Sequence, residues 1–154
     1  MRKTYRVLAN IIAIEVVIQA MMIVFAIAGL FKWIDDGATL DSSVIKGWED
    51  TPPTWTGAIG HFVHVMNGQF LIPLFGLLLL IVSFFAKVPR GTVLAVVIVV
   101  SIAVQVAAGI TADSMPYIGL IHGLNAFILF GASLAAASAA KSAKAEESVP
   151  APAV

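Results

Sequence analysis

The chain holds three histidines, His61, His64 and His122, all in apolar surroundings. A neutral imidazole can ligate haem iron, and within a bilayer it can also tie helices together by hydrogen bonding. Spacing narrows what these three can do. His61, His64 and Gly68 recur at i, i+3 and i+7, so on a helix they share one face. Gly68 removes a side chain just past His64 and leaves room for something flat. Gly119, His122 and Gly123 make a similarly thin surface, and Gln105 and Gly109 share a face at i and i+4. A planar macrocycle needs small residues of this kind to approach two backbones. One reading is therefore a b-type haem held by two axial imidazoles, one from His61 or His64 and the other from His122. Two further readings use the same residues. The histidines can be interfacial or helix-bridging groups beside glycines that serve close packing, or they can form a three-histidine zinc or copper site with Asp113 nearby.

The elements that must position these residues follow from composition. Hydrophobic residues make up 60% of the 154 and charged residues 12%, where a soluble domain carries about 45–50% and about 25%. The apolar residues form four long runs, at about 7–31, 58–86, 92–112 and 118–140. Crossing ~30 Å of hydrocarbon takes ~20 mostly apolar helical residues, and every run is long enough. None has the short alternating segments of a β-barrel. The first run follows Arg2, Lys3 and Arg6, as a signal peptide would. It is too long and lacks a clean small-residue cleavage site, so it reads as a retained helix. The expected fold is an all-α integral membrane protein, an antiparallel four-helix transmembrane bundle over 1–140, followed by a disordered cytoplasmic tail at 141–154.

Charge orients the bundle. With four spans, Arg2, Lys3, Arg6, Lys87, Arg90, Lys141 and Lys144 fall on one side, and Lys32 and Lys46 on the other. The positive-inside rule makes the first side cytoplasmic and puts both termini there. The acidic loop at 32–57 is then extracytoplasmic, and its Trp33 and Trp55 are expected at the lipid headgroups. The short links at 87–91 and 113–117 imply antiparallel neighbours. Helices 2 and 4 both enter from the outer side. At ~1.5 Å rise per residue, all three histidines then fall in one layer of the outer leaflet. Glu15 and Gln19, one turn apart on helix 1, are expected to face inward, for a proton or quinone role or for a hydrogen bond to a neighbouring helix. Pro73 is expected to kink helix 2.

Other function classes are excluded. The net charge is zero, which leaves no basic face for nucleic acid. The absence of cysteine removes disulfides, thiolate metal sites and covalent c-type haem attachment. No repeat of 20–50 residues and no second domain is visible.

Three segments carry a family resemblance. His64-Val-Met-Asn-Gly68 resembles the second-helix His-x-x-x-Gly element in each half of haem A synthase. Gln105-Val-Ala-Ala-Gly109 resembles that family's third-helix Gln-x-x-x-Gly, and Leu120-Ile-His122-Gly-Leu-Asn-Ala126 its fourth-helix histidine segment. The likeness covers helices 2–4, about half the chain. Similar histidine segments also occur in uncharacterised small bacterial four-helix membrane proteins. The resemblance implies haem b near the outer face of a bacterial plasma membrane, with His64 and His122 on the haem iron and His61, Gly68, Gln105, Gly109 and Gly123 around them. Two positions depart from the family: Val65 stands where an arginine follows the histidine, and His61 where the catalytic half has glutamate. The expectation is therefore a cytochrome b-like protein for electron transfer, or an accessory subunit of a respiratory membrane complex, rather than a haem-hydroxylating or stand-alone enzyme. A homodimer would rebuild the eight-helix arrangement. The alternative is a cofactor-free structural or assembly subunit.

Overall fold

The computed structural model describes residues 1–48 and 50–147, side chains of 144–147 excepted. All regular structure among them is helical: α1 (Arg2–Asp35), α2 (Ser42–Gly47), α3 (Ala58–Met66), a π-helical turn (Asn67–Leu71), α4 (Ile72–Ser83), α5 (Gly91–Ala112) and α6 (Ile118–Glu147). Four stretches are long and apolar enough to cross a membrane: Arg2–Asp35, Ala58–Ser83, Gly91–Ala112 and Ile118–Ala143. Their outward faces carry large apolar side chains, with Phe127 77%, Leu120 73% and Leu124 66% exposed. A continuous surface of that kind is a membrane or partner surface, not one suited to water.

The helices outrun the apolar runs because their flanks also favour helix. Helix α1 starts at Arg2 and continues to Asp35. It stops where Gly37 takes a left-handed φ of 100°. There Gly37 N–H donates to Ile34 O at 3.0 Å and Ala38 N–H to Trp33 O at 3.3 Å, the two bonds of a glycine-terminated helix end. Helix α6 runs to Glu147 rather than ending near 140. The expected disordered tail thus begins inside a helix, and its residues 148–154 lie outside the described residues. Pro73 coincides with an irregular turn. It sits at the second residue of α4, immediately after the π turn. Proline has no N–H to donate, and its ring crowds the carbonyl four residues back. A wider turn just ahead of it accommodates both.

Helix α2 is set by its cap. The Asp41 carboxylate accepts hydrogen bonds from Ser43 N–H (2.8 Å), Val44 N–H (3.1 Å) and the Ser43 hydroxyl (2.6 Å). The Ser43 hydroxyl first, then the two amides, hold the Asp41 carboxyl below its ordinary value of 3.8. A depressed folded-state value means the cap is fully present above pH ~4 and lost as pH falls through the lowered value. Following the Ser43 and Val44 amide resonances on acidification should give a midpoint below 3.8, and Asp41→Ala should remove the transition and speed their hydrogen exchange at neutral pH.

The chain divides into two compact units, Met1–Val16 with Gln69–Val154, and Val17–Gly68. In the first, α5 packs on both α4 and α6. The core includes Ile12, Leu79, Ile98 and Leu129, with Tyr5 fully buried and its hydroxyl donating to Gly91 O at 2.8 Å. In the second unit, the later part of α1 meets the segment leading into α3 through glycines. A Cβ on Gly60 would lie 2.5 Å from Met22 O, and one on Gly57, whose φ is 100°, 2.5 Å from Phe25 O. Trp55 lies between Trp33 and Trp48, with ring centroids 6.3 Å and 4.9 Å away. It is buried in protein, where Ala26 O accepts its indole N–H at 3.2 Å and so satisfies the one polar group of the ring.

Candidate functional site

Each unit holds one anchored histidine. In the first unit, His122 on α6 places Nδ1 3.0 Å from Gln105 O on α5. A carbonyl oxygen only accepts, so Nδ1 carries the proton, and the lone pair of the neutral ring is on Nε2. Asn125, one turn further along α6 and 7% exposed, donates from Nδ2 to Ser101 O at 2.8 Å and to Gln105 Oε1 at 2.7 Å. Gln105 thus holds His122 with its main chain and Asn125 with its side chain. Gly109, one turn along α5, seats the ring. A Cβ there would lie 3.1 Å from His122 Cε1 and 3.2 Å from Nδ1.

The glycines expected around the histidines are not equivalent. Gly109→Ala must push the His122 ring by a few tenths of an ångström and strain its bond to Gln105 O. Gly123, also expected beside the cofactor, has nothing within 4 Å of an added Cβ. Gly109→Ala should therefore cost about 1–3 kcal/mol in thermal melting and shift the His122 ring-nitrogen resonances. Gly123→Ala should stay within about 0.5 kcal/mol of the parent. Equal effects would refute the seating role of Gly109.

In the second unit, His64 Nδ1 lies 3.1 Å from Gln19 O on α1, so the same tautomer follows. Gly68 leaves room for the Gln19 side chain, whose Oε1 would be 3.3 Å from an added Cβ. Gln19 Nε2 is buried and has no hydrogen-bond partner among the described residues. His61, expected as a rival ligand, is exposed and makes no hydrogen bond among the described residues. His64 and His122 are both half-buried. Among the described residues no group of three His, Cys, Asp or Glu side chains could hold a metal ion, so the zinc or copper reading has no ligand set.

The structure brings His122 on α6 together with Gln105 and Gly109 on α5, and His64 and Gly68 together with Gln19 on α1. Asn125 is marked in the sequence only as a polar residue within an apolar run, and Gln19 as a residue expected to face inward with Glu15. Their roles depend on which carbonyl each histidine meets, and no side chain signals that. No protein-family model, no curated protein and no solved structure matches the chain.

Proposed function

We propose that the chain is a multi-pass membrane protein of the bacterial plasma membrane that binds haem b through His64 and His122, for electron transfer or as an accessory subunit of a respiratory complex. The observation that carries this reading is the shared anchoring. Both imidazoles donate from Nδ1 to a main-chain carbonyl. Metal-ligating histidines almost always donate their other N–H in this way, which fixes the tautomer and ring orientation and makes the ligating nitrogen more basic. The donor chemistry therefore fits an iron-bound imidazole. Haem, when bound, supplies one-electron redox chemistry. The chain's own residues hold each ring in a fixed orientation, and Gly109 keeps the α5 backbone close to the His122 ring.

An antiparallel bundle with both termini cytoplasmic goes with this reading. The pairing of Gly119 with Ala112, His122 with Gln105 and Asn125 with Ser101 supports opposed directions for α5 and α6. The distribution of Lys and Arg supports the orientation.

A second reading has its own observation. The bonds from His122 and Asn125 tie α6 to α5, as polar residues do between membrane helices. On that reading the protein is a cofactor-free structural or assembly subunit. An absorption spectrum of detergent-purified protein from haem-replete cells separates the two. Haem binding gives a Soret band that shifts on reduction with dithionite, and a colourless protein sinks the haem reading.

A further inference from the structure

Three distant stretches of sequence meet at one end of the first unit. The Tyr5 hydroxyl bonds to Gly91 O at 2.8 Å, which fixes the start of α1 beside the start of α5. Arg2 Nη1 donates to Ala143 O at 3.2 Å, which fixes the same end of α1 beside the last turns of α6. Lys3, Arg6, Lys87, Arg90 and Lys141 are all exposed there, and none makes an ion pair among the described residues. Residues 1–14, 84–112 and 118–145 contain no Asp or Glu. The nearest carboxylates in sequence are Glu15, along α1, and Glu146 and Glu147 at the end of α6.

Two of these cations stand on costly backbone. Lys87 and Arg90 have φ of 50° and 57°, a region that L side chains adopt at a cost and glycine adopts freely. The turn needs the left-handed conformation, yet a long cation occupies both positions. Each such charge, placed where a membrane helix leaves the hydrocarbon, can attract an anionic headgroup.

We propose that this end of the bundle is a binding site for the phosphodiester headgroup of an anionic lipid, held by Lys3, Arg6, Lys87, Arg90 and Lys141. The site rests on the reading of the chain as a membrane protein and is independent of haem. Positive charge scattered on one side would give a general surface attraction. Cations gathered by the Tyr5–Gly91 and Arg2–Ala143 bonds give a local, saturable one.

The test is thermal melting of the full chain in an uncharged detergent. Phosphatidylglycerol is expected to raise the melting temperature by about 3 °C or more over phosphatidylcholine of the same acyl chains. The difference should disappear in 1 M salt, where the screening length is ~3 Å. Inorganic phosphate at the same concentration should leave the melting temperature unchanged. Lys87→Gly/Arg90→Gly removes two charges while relieving the backbone, so loss of the lipid effect in a variant of normal helicity and basal melting temperature supports the site. Lys87→Asn/Arg90→Asn, which also tolerates left-handed φ, should behave alike. Equal stabilisation by both lipids overturns the proposal, as does a lipid preference that survives in both variants, or stabilisation by polyglutamate but not by phosphatidylglycerol. Alkaline carbonate extraction separates the underlying reading: release from membranes defeats both, whereas retention without lipid preference defeats this inference alone.

Discussion

Replacing either His64 or His122 by alanine is expected to remove most of the haem-bound Soret absorbance, while His61→Ala retains it. The physical difference lies in anchoring. His64 and His122 each give Nδ1–H to a fixed carbonyl, of Gln19 and Gln105, so each imidazole is held in one orientation. Exposed His61 has no such bond among the described residues. Losing a residue that merely supports a ligand typically weakens metal binding about 10–100-fold. Losing the ligand itself should exceed about 100-fold, enough to empty the site through purification. The structural reading gives a different result for the same variants. Loss of one interhelical hydrogen bond in a membrane averages ~0.6 kcal/mol, so His122→Ala would lower the melting temperature slightly and change no spectrum. Retention of a wild-type Soret band in both single variants would refute the ligand assignment even if haem is bound.

Gly29→Ala is expected to break the second unit. A Cβ at this position would lie 1.4 Å from Thr56 O and 2.6 Å from Thr56 C. The obstacle is main chain, so no side-chain rotation relieves it, and α1 must part from the segment that carries Trp55. Separation would also pull apart the close approaches at Gly57 and Gly60 and the Trp55 indole bond to Ala26 O. Overpacking commonly costs 1–3 kcal/mol, and a backbone collision at a buried site should reach about 3 kcal/mol or more. All three tryptophans of the chain lie in this unit, so intrinsic fluorescence reports it alone. Gly29→Ala should red-shift the emission and lower the fluorescence-detected melting temperature while most far-UV helicity remains. Gly47→Ala, with nothing within 4 Å of its added Cβ, is the control and should melt within about 0.5 kcal/mol of the parent. Parental emission and melting in Gly29→Ala would contradict the packing.

Much of the helical frame was legible because runs of some 20 apolar residues have few alternatives. The ends were less so. Arg2 to Arg6 and Lys141 to Glu147 are polar or small yet continue their helices, because apolarity marks the membrane-spanning part of a helix and not where its hydrogen bonding stops. Pro73 announced an irregularity, but the π turn ahead of it depends on how the preceding carbonyls are accommodated. Trp55 is marked in the sequence only by its position near a span end. Its burial follows from a main-chain acceptor at Ala26, which no residue type advertises.

The three histidines divide in the same way. By itself the sequence determined that they are few, lie within apolar runs, and are spaced with Gly68, Gly119 and Gly123 so that thin helix faces adjoin imidazoles. Only the tertiary structure decided that His64 and His122 are anchored while His61 is exposed, that Gly109 seats a ring while Gly123 touches nothing, and that Gln19 and Gln105 supply the carbonyls. The reason is physical. Every residue carries the same main-chain acceptor, so which one meets an imidazole is set by the approach of two helices, and that approach is fixed by glycines and core side chains far apart in the chain.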